Sequence, residues 1–188
     1  MKTKIKLLLT SLYLISFCIS AQTTFEKTYG GTDSDVGYDV IITNDGGFII
    51  TGFTYSFGSG LNDCYLVKTD NAGNFQWQKT YGGISGEFGI SILQNTNGDY
   101  IIAGTTISFG AGLNDYYVIK TNNNGDTIWT KTYGGWLLDS PRKIIATNDN
   151  GYVIIGRTQS FGNGTSSVYF VKIDSAGTEQ FSKTYGGS

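Results

Sequence analysis

Short apolar segments separated by Gly, Asn and Asp set the character of this chain. The most apolar are Phe48-Ile49-Ile50, Tyr100-Ile101-Ile102 and Tyr152-Val153-Ile154-Ile155. Each is too short for a helix and has no polar alternation, which predicts a strand covered on both faces, as in a sheet stacked between two others. Each also follows a tight turn: Asn44-Asp45-Gly46-Gly47, Thr96-Asn97-Gly98-Asp99 or Asn148-Asp149-Asn150-Gly151. Asp-Gly and Asn-Gly supply the positive φ values of two-residue hairpins. The strand before each turn (Tyr38 to Thr43, Ile90 to Asn95, Lys143 to Thr147) is therefore expected antiparallel to the apolar one. Gly52, Gly104 and Gly156 recur at one place in the apolar strand and predict a close backbone approach.

The pattern continues through a loop, Ser56-Phe57-Gly58-Ser59-Gly60 and its copies at Ser108 and Ser160, into a third strand. That strand is Tyr65-Leu66-Val67-Lys68, Tyr117-Val118-Ile119-Lys120 or Tyr169-Phe170-Val171-Lys172. A turn, Asp70-Asn71-Ala72-Gly73, Asn122-Asn123-Asn124-Gly125 or Asp174-Ser175-Ala176-Gly177, opens a fourth. Phe75, Trp77 and Lys79 alternate there, with Trp129 and Phe181 in the place of Trp77. Beyond the first residues no segment has the apolar spacing of a helix. The single proline, Pro141, is placed in a loop.

These coincidences arise because the chain is a tandem repeat. Lys-Thr-Tyr-Gly-Gly begins at Lys27, Lys79, Lys131 and Lys183, a constant spacing of 52. A period of this size marks solenoids, propellers and arrays. Four antiparallel strands per period, with aromatic and Gly signals, fit a propeller blade; a solenoid of parallel coils would show a shorter period without paired hairpin turns. The fold class expected is all-β: a β-propeller of four-stranded blades, three blades plus one extra outer strand, as a partial or oligomer-completed ring. The surplus strand is Thr24 to Tyr29, which reads as a fourth strand without its first three. Three blades fall short of the roughly 4 to 8 that close a ring. A fragment of a longer array, or two copies joined as a six-bladed ring, is the expectation, with self-association through open edges.

The pattern Trp-x-Lys-Thr-Tyr-Gly-Gly, Asp/Asn-Gly before Phe/Tyr-Ile-Ile, Ser-Phe-Gly-x-Gly and Tyr-x-x-Lys resembles secreted bacterial β-propeller proteins with Tyr-Gly-Gly repeats, called SBBP-like. The resemblance covers nearly all of the chain after residue 21. It implies a surface or extracellular module without a shared assigned chemistry.

Lys2, Lys4 and Lys6, an apolar run from Leu7 to Phe17, and the small Ser20 and Ala21 read as a secretory signal peptide over 1–21, cleaved before Gln22. The bulky Phe17 disfavours lipidation at Cys18. Residues 22–188 form the repeat domain, with repeats at about 27–78, 79–130 and 131–182 and a fourth starting at 183. A secreted or cell-surface location follows, with no membrane insertion after cleavage. The segment removes three lysines and no acids from totals of 13 and 15, leaving a net charge of about −5. Nucleic acid is thereby a poor partner. Cys64, left alone, forms no internal disulfide and aligns with Tyr116 and Val168 in the repeat, which makes it a strand residue.

There is no histidine, which removes Ser-His-Asp and Cys-His systems and the commonest metal ligand. No catalytic residue, metal site or cofactor is expected. The turn Thr121 to Trp129 is similar to the Asp-box hairpin of sialidase-type propellers, with Asn123 in place of the aspartate. The two arginines, Arg142 and Arg157, cannot form the arginine triad of those enzymes.

Asp35, Glu87 and Asp139 recur 52 apart in the loop entering each repeat. Gathered around an axis, these carboxylates are the candidate ligand site, for a cation or a sugar; as ordinary loop acids they would be solvated. Asp63 and Asp115, replaced by Ser167 in the third copy, read as turn-forming residues. The aspartates and asparagines of the turns, such as Asp70-Asn71, lack the roughly 12-residue ligand spacing of an EF-hand. The Trp and Tyr of the Trp-x-Lys-Thr-Tyr motif read as packing between blades rather than as sugar-stacking groups. The functional expectation is a non-enzymatic interaction or adhesion scaffold with a protein or polysaccharide ligand. The alternative is part of a carbohydrate-active propeller enzyme whose catalytic residues lie elsewhere.

Overall fold

The computed structural model describes residues 24–163 and 165–186. The signal peptide expected over 1–21 lies outside the described residues. Among the described residues twelve strands follow one another with no helix. Sheet I holds β1 (Asp35–Ile42), β2 (Phe48–Thr54), β3 (Asp63–Thr69) and β4 (Phe75–Tyr81). Sheet II holds β5 (Glu87–Gln94), β6 (Tyr100–Thr106), β7 (Asp115–Thr121) and β8 (Thr127–Tyr133). Sheet III holds β9 (Asp139–Ala146), β10 (Tyr152–Thr158), β11 (Ser167–Ile173) and β12 (Glu179–Tyr185). Each is a four-stranded antiparallel meander in sequence order.

The turns that impose this order differ in detail from the two-residue hairpins expected. Thr43 N–H donates to Gly47 O and Gly46 N–H to Thr43 O, enclosing three residues, and only Gly46 has a positive φ. That geometry is a type I turn followed by one left-handed residue. Gly98 and Asn150 occupy the same left-handed place in the other sheets. In the turns before the fourth strands an Asx residue adds to this: Asp70 Oδ1 accepts from Ala72 N–H and Asn74 N–H, and Asn122 Oδ1 from Asn124 N–H and Asp126 N–H. The side chain that organises the Asp-box-like turn is thus Asn122, one place before the position the resemblance marks.

The glycines of the second strands meet the close approach expected of them. A Cβ on Gly52, Gly104 or Gly156 would overlap the carbonyl oxygen of Val36, Phe88 or Ser140 on the neighbouring first strand. That strand bulges there: the register skips Tyr38 in β1, Ile90 in β5 and Arg142 in β9. The first strands also begin earlier than the apolar pattern indicates, so Asp35, Glu87 and Asp139 are strand residues and not loop residues. Pro141 lies within β9 beside the bulge, paired with Gly156, rather than in a loop. An edge strand and a bulge are the two places where the missing N–H of proline is tolerated.

The interior consists of two slabs, one between each pair of neighbouring sheets. Ile49, Cys64, Leu66 and Tyr81 of sheet I meet Ile92, Tyr100, Ile102, Tyr117 and Ile119 of sheet II. Ile101, Ala103, Tyr116, Val118 and Tyr133 of sheet II meet Ile144, Tyr152, Ile154, Tyr169, Val171 and Ile173 of sheet III. Of the three apolar second strands, β6 is buried along its whole length, whereas β2 keeps partly open and β10 exposed positions; β3 of sheet I is buried throughout as well. Among the second strands, full coverage goes with a sheet on each side. Among the described residues the three sheets do not close into a ring.

Thr24 to Tyr29 does not join a sheet as a strand. It lies against sheet I instead: the Phe25 ring sits 5.9 Å from that of Phe48, and Tyr29 Oη donates to Gly73 O at 2.7 Å. Tyr81 makes the same bond to Gly125 O and Tyr133 to Gly177 O, each onto the following sheet. The segment thus takes the place that the outer strand of a preceding sheet would occupy. The motif tyrosines fasten one sheet to the next, as expected.

Candidate functional site

Chain direction divides the recurring loop types between two ends of the stack. The Tyr-Gly-Gly and Ser-Phe-Gly loops share one end; both kinds of tight turn share the other. At the first end neighbouring sheets are stitched by backbone. Asn62 pairs in parallel with Gly86, and Asn114 with Leu138. Glu87 N–H donates to Asn62 O, and Asp139 N–H to Asn114 O.

The candidate carboxylates Asp35, Glu87 and Asp139 lie at this end, one at the head of each first strand. Glu87 and Asp139 are fully buried, whereas Asp35 is partly exposed. Asp35 accepts from Thr54 Oγ1, Ser56 Oγ at 2.8 Å and Gly31 N–H at 2.7 Å. Burial opposes its charge, but these hydrogen bonds outweigh that and hold its pKa below the ordinary aspartate value. Glu87 accepts from Thr106 Oγ1, Ser108 N–H and Gly83 N–H, and Asp139 from Gly135 N–H and Ser160 Oγ. Each carboxylate ties the Tyr-Gly-Gly loop to the Ser-Phe-Gly loop of its own sheet. The structure therefore distributes the three acids among separate loop networks.

What the structure does bring together are acids from adjacent sheets. A Cβ on Gly82 would overlap Asp63 Oδ1 and lie 2.5 Å from Glu87 Oε2; one on Gly134 would overlap Asp115 Oδ1 and lie 2.7 Å from Asp139 Oδ2. Asp63 and Asp115 are almost wholly buried. Their Oδ2 atoms accept from Ser59 N–H and Ala111 N–H, both at 2.7 Å, so these residues do shape the preceding loops. Their Oδ1 atoms, like Asp139 Oδ1 and Ser167 Oγ, have no hydrogen-bond partner. Burial, with the Glu87 carboxylate adding to it, pushes the pKa of Asp63 up; burial and then Asp139 do the same to Asp115. Two carboxylates brought this close across a buried seam oppose the ionisation of Asp63 and Asp115.

The opposite end is built from the turns and the lysine that closes each third strand. Lys68 Nζ reaches Asp45 at 2.8 Å, Lys120 reaches Asp99 at 3.3 Å and Lys172 reaches Asp149 at 2.8 Å. Hydrogen bonds from Lys68 and then Thr43 pull Asp45 down to about 2. Between these anchors two polar grooves open along the sheet boundaries. One of about 500 Å³ is lined by Asn95, Asn97, Lys120, Thr147, Asn150 and Tyr152, among others. Its counterpart between sheets I and II, about 310 Å³, is lined by Asn44, Asp45, Lys68, Trp77, Gln94 and Asn124, among others. Side-chain amides recur in both beside apolar surface, a donor and acceptor mixture suited to hydroxyl-rich or peptide ligands.

Sequence reasoning missed this end. The signal was present in the lysine closing Tyr-x-x-Lys and in an acid within the turn before the second strand. Asp99 stands at a different turn position from Asp45 and Asp149, which hides the equivalence of the three pairs from alignment. Among the described residues no group of three or more His, Cys, Asp or Glu side chains is placed to hold a metal ion, and no helix is long and apolar enough to cross a membrane.

No protein-family model and no curated protein matches the chain. Among solved structures it is similar to a protein of unknown function from Bacteroides caccae, determined at 1.35 Å. The identity is 12%, the TM-score 0.40, and the match covers 79% of this chain and 67% of that one.

Proposed function

We propose that this chain is an exported, non-enzymatic interaction module of the β-propeller type, and that its turn-bearing end binds a neutral polysaccharide. The observation that carries the reading is the pair of equivalent grooves at that end, both lined by asparagine and glutamine side chains, with Thr96 and Thr147 in one and the Trp77 and Tyr100 rings in the other. Neutral amides both donate and accept, so they match sugar hydroxyls without requiring a charged ligand. The lysines there are neutralised by Asp45 and Asp99, which removes the attraction for polyanions. Repetition supports the reading further: two grooves along neighbouring boundaries hold successive parts of one chain, and avidity compensates for weak single contacts. The resemblance to secreted Tyr-Gly-Gly repeat proteins agrees with a surface role.

The test is a glycan array with the exported protein, followed by titration of the retained polysaccharide into Asn95→Ala/Asn150→Ala. A retained neutral glycan and at least tenfold weaker binding by the variant are expected. Retention that the variant does not alter, hydrolysis of the glycan, or binding only to protein would overturn the proposal. N-terminal sequencing of material from the medium, starting at Gln22, checks export.

A further inference from the structure

The two outward faces of the stack are opposite halves of a contact that the chain already makes twice. Val40 in β1 is 56% exposed, whereas its equivalents Ile92 and Ile144 are 1% and 2% exposed beneath the preceding sheet. On the far side Val168 in β11 is 42% exposed, whereas Cys64 and Tyr116 at the same place are fully buried by the following sheet. Tyr185 is open at 55%, while Tyr81 and Tyr133 are 8% exposed because they fasten onto the next sheet. Sheet I thus presents an acceptor face and sheet III a matching donor face. We infer that a second copy of this chain docks head to tail, its sheet III against sheet I of the first.

Side-chain size and polarity both support that occupant over an unrelated one. At the boundary between sheets I and II, Cys64 packs on Gly89: a Cβ on that glycine would lie 2.8 Å from Cys64 Sγ. Gly37, the equivalent of Gly89 on the acceptor face, has room above it, with Ile50 the sole near neighbour of an added Cβ. Val168 is the residue that would fill this room.

The polar match concerns Ser167 and Asp35. Within the stack, position 63 or 115 of one sheet faces position 87 or 139 of the next, a carboxylate opposite a carboxylate. At the proposed joint the corresponding residues are Ser167 and Asp35. Ser167 Oγ is buried and has no hydrogen-bond partner. A hydroxyl donor opposite an acceptor makes the joint free of the like-charge cost that both internal seams carry.

One exchange accompanies docking. Phe25 to Gly31 reads Phe-Glu-Lys-Thr-Tyr-Gly-Gly and Phe181 to Gly187 reads Phe-Ser-Lys-Thr-Tyr-Gly-Gly. The first now lies on sheet I through Tyr29, where β12 of the incoming copy would lie through Tyr185. Replacing one segment by a near-identical one is close to neutral, so the apolar area closed around Val40 and Val168 decides the balance.

The test is sedimentation of the exported chain, wild type against Val40→Glu and Val168→Glu, each confirmed as folded by circular dichroism. Wild type is expected to self-associate at concentrations on the order of 100 μM or below. Each variant alone is expected to be monomeric or at least tenfold weaker, because each lacks one half of the joint. Mixed together they restore one joint, so an equimolar mixture forms a heterodimer that neither gives alone. Ser167→Asp, which recreates a carboxylate pair, weakens association. A wild type monomeric throughout that range, or a mixture no more associated than its components, would overturn the inference.

Discussion

Replacing Asp63 or Asp115 with Asn should stabilise the protein at neutral and alkaline pH and leave it unchanged in acid. In the wild type Asp63 Oδ1 is buried, unpartnered and directed at the space bordered by Glu87 Oε2. Asparagine retains the acceptor for Ser59 N–H and turns an amide N–H toward the Glu87 oxygen. A hydrogen bond to a charged group contributes about 1.5–3 kcal/mol, so each substitution should add up to about that much, or roughly 2–4 °C in Tm per kcal/mol for a chain of this length.

The sign with pH follows from the direction of the shifts. Asp63 and Asp115 have folded-state pKa values raised above the ordinary 3.8. Their contribution is full below that value and is lost as pH rises through the raised one. Asp45, lowered to about 2 by Lys68, acts oppositely: its contribution is full above the ordinary value and lost as pH falls toward about 2. The quantity to measure is therefore the difference between variant and wild type. Urea unfolding followed by tryptophan fluorescence at a series of pH values from about 4 to 8 should show a stabilising increment that grows with pH. A variant less stable than wild type at pH 8, or an increment of the same size in acid, would sink the carboxylate-pair account.

Three further outcomes are expected. Tyr81→Phe and Tyr133→Phe each strand a buried carbonyl, of Gly125 or Gly177, and should cost about 1–3 kcal/mol by chemical denaturation; Tyr29→Phe, at the more open end, should cost less. Gly104→Ala forces a methyl into the Phe88 carbonyl oxygen and should cost about 3 kcal/mol or more, seen as a lowered unfolding midpoint or as insoluble expression. Cys64 is fully buried and its thiol is pushed up to about 12 by that burial, so an aromatic disulfide reagent at pH 8 should leave it unmodified in the native protein and titrate it fully in urea.

The strands, their order and the sheet count were legible because the period aligns three versions of each segment. Turn residues, apolar runs and close-approach glycines reinforce one another in that alignment. The acids at the heads of the first strands were misplaced for a physical reason: Gly30-Gly31 and its copies read as loop, and nothing in the local pattern says that pairing starts at Asp35. The partnership of Asp63 with Glu87 is hidden in the sequence because it crosses between sheets, joining a residue that reads as a turn former to one that reads as a loop carboxylate. Proline reads as a loop residue, and the bulge that tolerates Pro141 in β9 forms opposite Gly156 on another strand. The lysine anchors escaped because an apolar strand ending in lysine reads as a solvated end, whereas Lys68 is buried.

The described residues form three sheets but two interiors, and each interior belongs to a pair. No sheet owns a core, so a lone copy of the repeat should not persist as a folded unit, and stability rests on nearest-neighbour coupling, as in one-dimensional arrays. The middle sheet draws on both couplings and the flanking sheets on one each. Amide exchange should accordingly be slowest along β6 and β7 and faster in β2, β3, β10 and β11, although all six are interior strands of their own sheets. Docking a further sheet on either flank would flatten that gradient on its own side, which makes the exchange profile a readout of how many neighbours each sheet has.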